Sequence, residues 1–296
     1  EHAVGDPRIQ LITLGRNLGC GGAIAHAYEW ARDRGVDIAV SIDGDGQMDP
    51  DDMGALIMPI IEGRADLTKG NRLTQPSDLK RIPKLRLFGN VSLSVLTKIA
   101  SGYWTIADSQ TGYTAAGRHA LEHIDWDKLY ARYGRPNDLL VRANVARCRA
   151  ADVPVRAVYG VGEQSTMRIA RTSLSIAWML FRRFWWRLWT RHVLLEFHPM
   201  VFLYLLGVVG TLVTTGLGVH VLRSLLMDGS LPRIASVAWV VMGVTTVNAL
   251  FLAFWMDLLT NQALSLPLQT RRMSRMAPVQ LGEPVATAGA GAPDGA

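Results

Sequence analysis

The sequence predicts an α/β domain, a sandwich around a mostly parallel sheet, followed by an interfacial helix and a two-helix transmembrane hairpin. Three observations predict it. From Arg8 to about Tyr159, short apolar runs alternate with helical stretches, the pattern of strands joined by crossover helices. Two later runs, Pro199 to Val219 and Ile234 to Met256, contain no Asp, Glu, Lys, Arg or His. Each matches the roughly 20 apolar residues that a helix needs to cross a bilayer core. Between the two parts, Met167 to Phe197 is dense in Trp and Arg.

The elements follow in order. Ile9 to Thr13 reads as a strand, Ala23 to Arg34 as a helix, and Ile38 to Ile42 as a β-branched strand ending at Asp43. Pro50 to Glu62 reads as a helix with Pro in its first turn. Ala65 to Lys69 is a short strand, Phe88 to Ala100 and Asn137 to Arg149 are helical, and Val153 to Val158 is the last strand. The expected units are residues 1–162, a soluble domain; 163–198, an interfacial region; 199–260, the hairpin; and 261–296, a basic segment and tail. Ala277 to Ala296, rich in Ala, Gly and Pro, reads as disordered.

Composition narrows the classes. With 49% hydrophobic and 19% charged residues, the chain is too apolar for a disordered protein. The net charge of +6 is uneven: eleven Arg fall between Arg168 and Arg275, most of them flanking apolar runs. That placement favours a membrane over nucleic acid as partner. The two cysteines, Cys20 and Cys148, make no disulfide framework and no zinc spacing, and read as free thiols of a reducing compartment. The histidines do not cluster with Asp or Cys at ligand spacing and read as structural.

On a helical wheel, Trp178, Phe181, Trp185, Leu188 and Trp189 share one side of the helix before the hairpin. Arg183, Arg187 and Arg191 form a stripe roughly opposite. Indoles prefer the headgroup level and Arg reaches lipid phosphate, so this helix is expected to lie on the cytoplasmic leaflet. Arg182, Arg183, Arg187 and Arg191 precede the hairpin and Arg271, Arg272 and Arg275 follow it, which places both flanks and the soluble domain in the cytoplasm. Gly210, Thr214 and Gly218 recur every fourth residue, a small-residue ridge for packing within the hairpin or against a second copy.

The chemistry-bearing segment is Asp43-Gly44-Asp45-Gly46-Gln47-Met48-Asp49-Pro50-Asp51-Asp52. It follows a strand, where ligands of such sheets bind. Five carboxylates in ten residues repel unless a cation or a helix N-terminus neutralises them. Asp43 and Asp45, flanking Gly44, can close on one hard cation, and Gln47 can add a neutral oxygen. Such oxygen donors favour Mg²⁺ or Mn²⁺ with substrate phosphates completing the shell. An EF-hand is excluded, since position 12 from Asp43 is Gly54 and no helix precedes it. Asp51 and Asp52 read as first-turn helix residues. The glycine loop from Gly15 to Ala23 lacks the third glycine of a dinucleotide fingerprint and the Gly-Lys-Ser/Thr of a phosphate loop. It reads either as a tight turn with close helix packing or as a donor contact.

Taken together, Arg16-Asn17-x-Gly-x-Gly-Gly-Ala, Asp43-Gly-Asp-Gly-Gln-x-Asp-Pro and Lys69-Gly-Asn-Arg72 resemble the family 2 glycosyltransferases. The similarity is greatest to the polyprenyl-phosphate sugar transferases such as dolichol-phosphate mannose synthase. It continues through Arg86-x-x-Gly-Asn90, Asp108-Ser-Gln-Thr-Gly-Tyr113, Asn137-Asp-Leu-Leu140 and Gly162-Glu-Gln-Ser-x-Met167. The resemblance implies a GT-A type, Rossmann-like sandwich that transfers a sugar, with inversion, from a nucleotide diphosphate sugar to a polyprenyl phosphate. It assigns the metal to Asp45 and Gln47 with Asp43 beside it. It places the donor near Asp43, Asn17 and Gly19, and gives the acceptor phosphate to Arg72, Arg86 and Arg168. Asp45, Arg72 and Arg86 are then the expected catalytic residues. Asp138 stands where relatives acting on hydroxyl acceptors carry their base; with a phosphate acceptor it is expected to have a positioning role. The resemblance also implies a preceding strand with Pro-x-Tyr-Asn-Glu and an Asp-Asp-Gly-Ser segment. Neither is in this sequence, so an N-terminal truncation is expected. A processive synthase is disfavoured because no Gln-x-x-Arg-Trp precedes the membrane region.

Overall fold

In a computed structural model of the chain, the described residues are 6, 8–73, 84–156 and 169–266, with backbone only at 84–88, 90 and 169–171. Helix α1 (Gly19–Asp33) leads to strand β1 (Ile38–Ser41), and a 3₁₀ turn (Pro50–Asp52) leads to α2 (Met53–Ile61) and β2 (Leu67–Asn71). Then follow α3 (Lys84–Ser101), β3 (Thr114–Gly117), α4 (Arg118–His123), α5 (Arg135–Val145) and β4 (Ala150–Pro154). Helix α6 (Ile169–Trp189) runs into a π-helical turn (Thr190–Leu195), then α7 (Met200–Asp228), α8 (Arg233–Asn261) and a short β5 (Ser265–Leu266).

The strand order is β1-β3-β2-β4-β5. Both β1 and β2 pair antiparallel with β3, while β2–β4 and β4–β5 are parallel. So β3 alone runs against the other four, and the sheet is mixed around a mostly parallel frame. The sequence reading missed β3. Of its residues, Ala115, Ala116 and Gly117 have low strand preference, and the segment is held extended by neighbours on both sides. Strand β4 begins three residues earlier than read, at Ala150. Ile9 to Thr13 is not a strand: it forms no ladder with β1, and Leu11 is 91% exposed.

Two apolar layers cover the sheet. Tyr28 of α1, Leu121 of α4, Leu139 and Leu140 of α5 and Trp126 form one core with Leu67 and Ala116. Trp126 stacks on Tyr28 at 4.3 Å and donates its indole N–H to Leu121 O. On the other face, Leu56 of α2 packs with Tyr113, Ala115 and Val153. A third cluster joins α3, α5 and α6 through Leu93, Val141, Ile176 and Leu180.

Helices α7 and α8 are each long and apolar enough to cross a membrane. At 29 residues apiece they reach about 43 Å, beyond the roughly 30 Å hydrocarbon core. Only 22% and 17% of their most apolar windows are buried within the chain, so they are not the core helices of a soluble fold. The small-residue ridge of α7 is taken up by α8. A methyl on Gly210 would overlap Thr246, one on Gly218 would meet Trp239, and Thr214 faces Thr246 at 3.4 Å. The ridge therefore serves the hairpin and is not left for a second copy.

The arginine stripe faces the opposite way from the expectation. Arg187 is fully buried, forks onto Asp257 of α8 at 2.9 and 2.7 Å, and donates to Ala100 O at the end of α3. Arg191 bonds the amide oxygens of Asn144 in α5 and Asn261 in α8 at 2.5 and 2.6 Å. Arg183 lies 2.6 Å from Asp138. Helix termini leave carbonyls without intrahelical partners, and these guanidiniums supply donors to them. The exposed face is the aromatic one: Trp178, Phe181, Trp185 and Trp189 point outward, whereas Leu188 is buried. Arg183 and Arg187 are thus taken up by protein carboxylates, and Arg191 by protein amide oxygens.

Replacing Arg187 by Met should strand the buried Asp257 charge and cost about 3–5 kcal/mol. The double variant Arg187→Met/Asp257→Leu should recover most of that loss. Thermal unfolding of the detergent-solubilised chain measures both.

Candidate functional site

Of the sequence-predicted site residues, Asp43, Asp45 and Gln47 follow the end of β1 and Arg72 follows the end of β2, near where β3 begins. Ser41 pairs with Thr114, so the exit of β1 and the entry to β3 lie side by side. That register brings Gly112 against Asp43, two residues past β1. A methyl on Gly112 would overlap the Asp43 carboxylate and come within 2.8 Å of Arg135 Nη2. Arg135, the first residue of α5, is buried and stands 3.9 Å from Asp43 Oδ1. Asp43 therefore faces solvent on one side and a fixed cation on the other. Asp45 is exposed and its Oδ1 accepts the Gln47 N–H at 3.0 Å, closing a tight turn in which Gly46 has φ +75°. A positive φ is the reason glycine suits that position.

Two of the remaining carboxylates of the cluster, Asp49 and Asp52, have structural partners. Asp49 caps the 3₁₀ turn by accepting Asp51 N–H at 3.0 Å. Asp52 is buried and accepts Arg156 N–H at 2.6 Å, and the Arg156 side chain spans Asp49 and Asp52. This matches the reading of Asp51 and Asp52 as first-turn residues. The predicted set of Asp43, Asp45 and Gln47 offers two carboxylates and one amide oxygen to a ligand. This is a hard-oxygen donor set of the type Mg²⁺ or Mn²⁺ takes. Among the described residues no group of three or more His, Cys, Asp or Glu comes together to hold a cation. A divalent ion would therefore need phosphate oxygens to complete its shell.

Strand β2 delivers the second half of the site. Lys69 is fully buried and donates to Thr111 O at 2.6 Å, tying β2 to the segment that ends at Gly112. Arg72 forks onto Asp108 through Nε at 2.8 Å and Nη2 at 3.3 Å. Asp108 also accepts the Gln110 N–H at 3.1 Å. Asn71 donates to Asp152, which takes a second bond from Ala107 N–H at 2.7 Å. Burial pushes Lys69 down to about 7, against the pull of Asp108. Burial raises Asp108, but the Arg72 guanidinium and Lys69 outweigh it and hold it below the ordinary carboxylate range. Asp152, with no such cation bonded to it, is pushed up to about 6 by burial.

Other predicted residues lie apart. Asn17 Oδ1 accepts Gly19 N–H at 2.8 Å and opens α1. Gly19 has φ +73°, and a Cβ there would meet Ala131 O at 2.8 Å; Gly21 N–H bonds that same oxygen. The glycine loop is thus a close backbone contact between α1 and the 130–131 segment. Asp138 is fully buried, accepts Tyr130 N–H at 2.8 Å and Arg142 Nε at 3.0 Å, and touches Arg183. Arg86 falls in α3 with its side chain outside the described residues, and Arg168 lies outside them altogether.

Sequence reasoning gave no role to Arg135, Arg156 or Lys69. Lys69 carried a signal, a lone cation in a run otherwise fit for a buried strand. Arg135 carried a weaker one, a cation just ahead of a helix-starting Pro.

The folded-state pKa of Lys69 lies below its unfolded value of about 10.4, so the folded chain binds fewer protons between about pH 7 and 10. The penalty for burying this lysine is full below about pH 7 and fades as pH rises. Lys69→Met should therefore be favoured relative to the native chain at pH 7 and lose that advantage by pH 10. Denaturant melts of both chains across that range check it.

Residues 1–125 match the Glycosyl transferase family 2 model. The chain is 33% identical over 168 residues to the UDP-N-acetylglucosamine--dolichyl-phosphate N-acetylglucosaminyltransferase of Methanococcus voltae, covering 57% of this chain and 65% of that one. It is 25% identical to the undecaprenyl-phosphate mannosyltransferase of Micrococcus luteus, over 60% of this chain and 76% of that one. It is 27% identical to the polyprenol monophosphomannose synthase of Mycolicibacterium smegmatis, over 60% of this chain and 68% of that one. The chain thus spans just under two thirds of the Methanococcus protein. With its glycine, acidic and Lys-Gly-Asn-Arg segments in order around a mixed sheet, the N-terminal part of this chain is similar, over residues 1–125, to glycosyl transferase family 2.

Proposed function

We propose that the chain belongs to a membrane-bound, metal-dependent hexosyltransferase that moves a sugar, with inversion, from a nucleotide diphosphate sugar to a polyprenyl phosphate. The observation that carries this reading is the acidic end of β1, open to solvent and backed by Arg135, in a domain packed directly onto two membrane-length helices. The three relatives are all named for transfer to a polyprenyl or dolichyl phosphate, which supports it.

The reaction asks for one bond made and one broken. A phosphate oxygen of the lipid attacks the anomeric carbon as the bond to the donor diphosphate breaks, and the electron pair leaves with the diphosphate. The nucleophile is already anionic near neutral pH, so no general base is needed. Fixed cations must hold it in line, and guanidinium suits that task. Arg72 serves here, its fork set by Asp108, together with Arg86 and Arg168. Asn17 and Gly19, expected on the donor side, instead open α1 and pack it against Ala131, so they are given no direct part in this step. A Mg²⁺ or Mn²⁺ ion held by Asp43, Asp45 and Gln47 would neutralise the departing diphosphate. Arg135 holds Asp43 in place and offsets part of the cluster's charge. The positively charged flanks of the hairpin favour a cytoplasmic position for the domain.

A hydroxyl acceptor would require Asp138 to act as base. Its burial between Arg142 and Arg183 speaks for a positioning role instead. We expect Asp138→Asn to lower the melting temperature while changing kcat on a lipid phosphate by less than about tenfold. A loss of about 100-fold or more at unchanged stability would make Asp138 the base.

The reading is tested with the purified chain in detergent, Mn²⁺, a panel of nucleotide sugars and a short polyprenyl phosphate, followed by mass spectrometry of the lipid. Glycosylated lipid is expected, cut by about 100-fold or more in Asp45→Ala and by chelation of the metal. Absence of both product and nucleotide binding would favour a non-catalytic membrane partner.

A further inference from the structure

The end of the sheet opposite Asp43 holds a cavity of about 590 Å³. Asp66 and Arg149, which line it, stand just before β2 and β4, whereas Asp43 and Arg72 lie just beyond the ends of β1 and β2. A five-residue strand separates the two ends by roughly 16 Å. The other wall comes from the membrane hairpin. Thr260 is in the last turn of α8, and Glu196 lies four residues before α7. The first apolar helix starts and the second finishes at this level, which in a bilayer would set the cavity near the headgroups.

Its charges do not balance. Arg149 forks onto Asp66 at 3.0 and 2.9 Å, and Arg147 pairs with Glu196. Arg191 is the third guanidinium on the wall. Among the described residues no carboxylate lies within ion-pair distance of it; it bonds only amide and carbonyl oxygens of Asn144 and Asn261. It is 4% exposed and its buried Nε has no partner. Arg187, one turn away, is already satisfied by Asp257. A buried cation without a counter-ion is costly, and burial together with Arg187 pulls Arg191 down to about 10. Guanidinium groups recognise phosphate through paired N–H donors.

We propose that this cavity binds a phosphate group through Arg191 with Arg147 and Arg149, either the headgroup of an anionic membrane lipid or free phosphate. The site is separate from the acidic strand end, and the inference does not rest on sugar transfer.

The test compares the purified full chain in phosphatidylglycerol and phosphatidylcholine nanodiscs, with and without inorganic phosphate. It reads the melting temperature and, by native mass spectrometry, retained lipid. A lipid-headgroup site predicts a higher melting temperature in phosphatidylglycerol and one retained lipid that phosphate does not displace. A free-phosphate site predicts equal stabilisation by phosphate in both nanodiscs. Arg191→Lys keeps the charge but loses the fork, and should weaken binding by about tenfold. Glu196→Gln removes a competitor for Arg147 at an exposed position and should tighten binding by about threefold. No stabilisation by either probe overturns the proposal, as does binding that neither substitution changes.

Discussion

The buried pairing of Arg187 with Asp257 is the constraint on which the architecture turns. It is the point where three elements from distant parts of the sequence meet: the end of α3, the last turn of α6 and the last turns of α8. Two charges removed from water demand mutual satisfaction, and a guanidinium with several donors can also supply the unpaired carbonyls of a helix end. Arg183 and Arg191, one turn to either side, repeat the arrangement with α5 and α8. The result is a column of cations inside the protein that fixes the soluble domain to the hairpin. The same geometry turns the tryptophans outward, where an amphipathic ring suits a membrane surface.

A second set of buried charges shapes the strand ends. Lys69, Arg72, Asp108 and Asp152 sit between β2, β4 and the loop before β3, where Lys69 bonds Thr111 O, Arg72 bonds Asp108, and Asn71 and Ala107 N–H bond Asp152. This network places Gly112, and Gly112 leaves only enough room for Asp43 beside Arg135. The acidic site is thus preorganised from beneath by residues that need not touch a substrate.

The two ends of the sheet carry opposite demands. At the ends of β1 and β2, carboxylates outnumber nearby cations, and Asp43 and Asp45 reach solvent. At the starts of β2 and β4, guanidiniums outnumber carboxylates at the level where the apolar helices stop. The rigid column fixes how both ends of the sheet stand relative to the apolar hairpin. That division follows from strand direction, since β1, β2 and β4 run the same way.

Several features were fixed by the sequence alone. The charge-free runs require membrane-length helices because an unpaired backbone group in hydrocarbon is too costly. The Asp-Gly-Asp-Gly-Gln segment after a β-branched run placed the acidic site at a strand end, and Pro50 marked the helix that follows. These are local statements, carried by hydropathy, turn chemistry and like-charge repulsion over a few residues. Tertiary structure decided the rest. Thr114 to Gly117 became a strand only because β1 and β2 flank it, and Ile9 to Thr13 did not because it pairs with neither. Whether the arginine stripe faced lipid or protein depended on Asp257 and Asn261, some 70 residues further along. Helical periodicity defines two faces of a helix but not what each will meet, and that choice belongs to the charges the fold brings alongside.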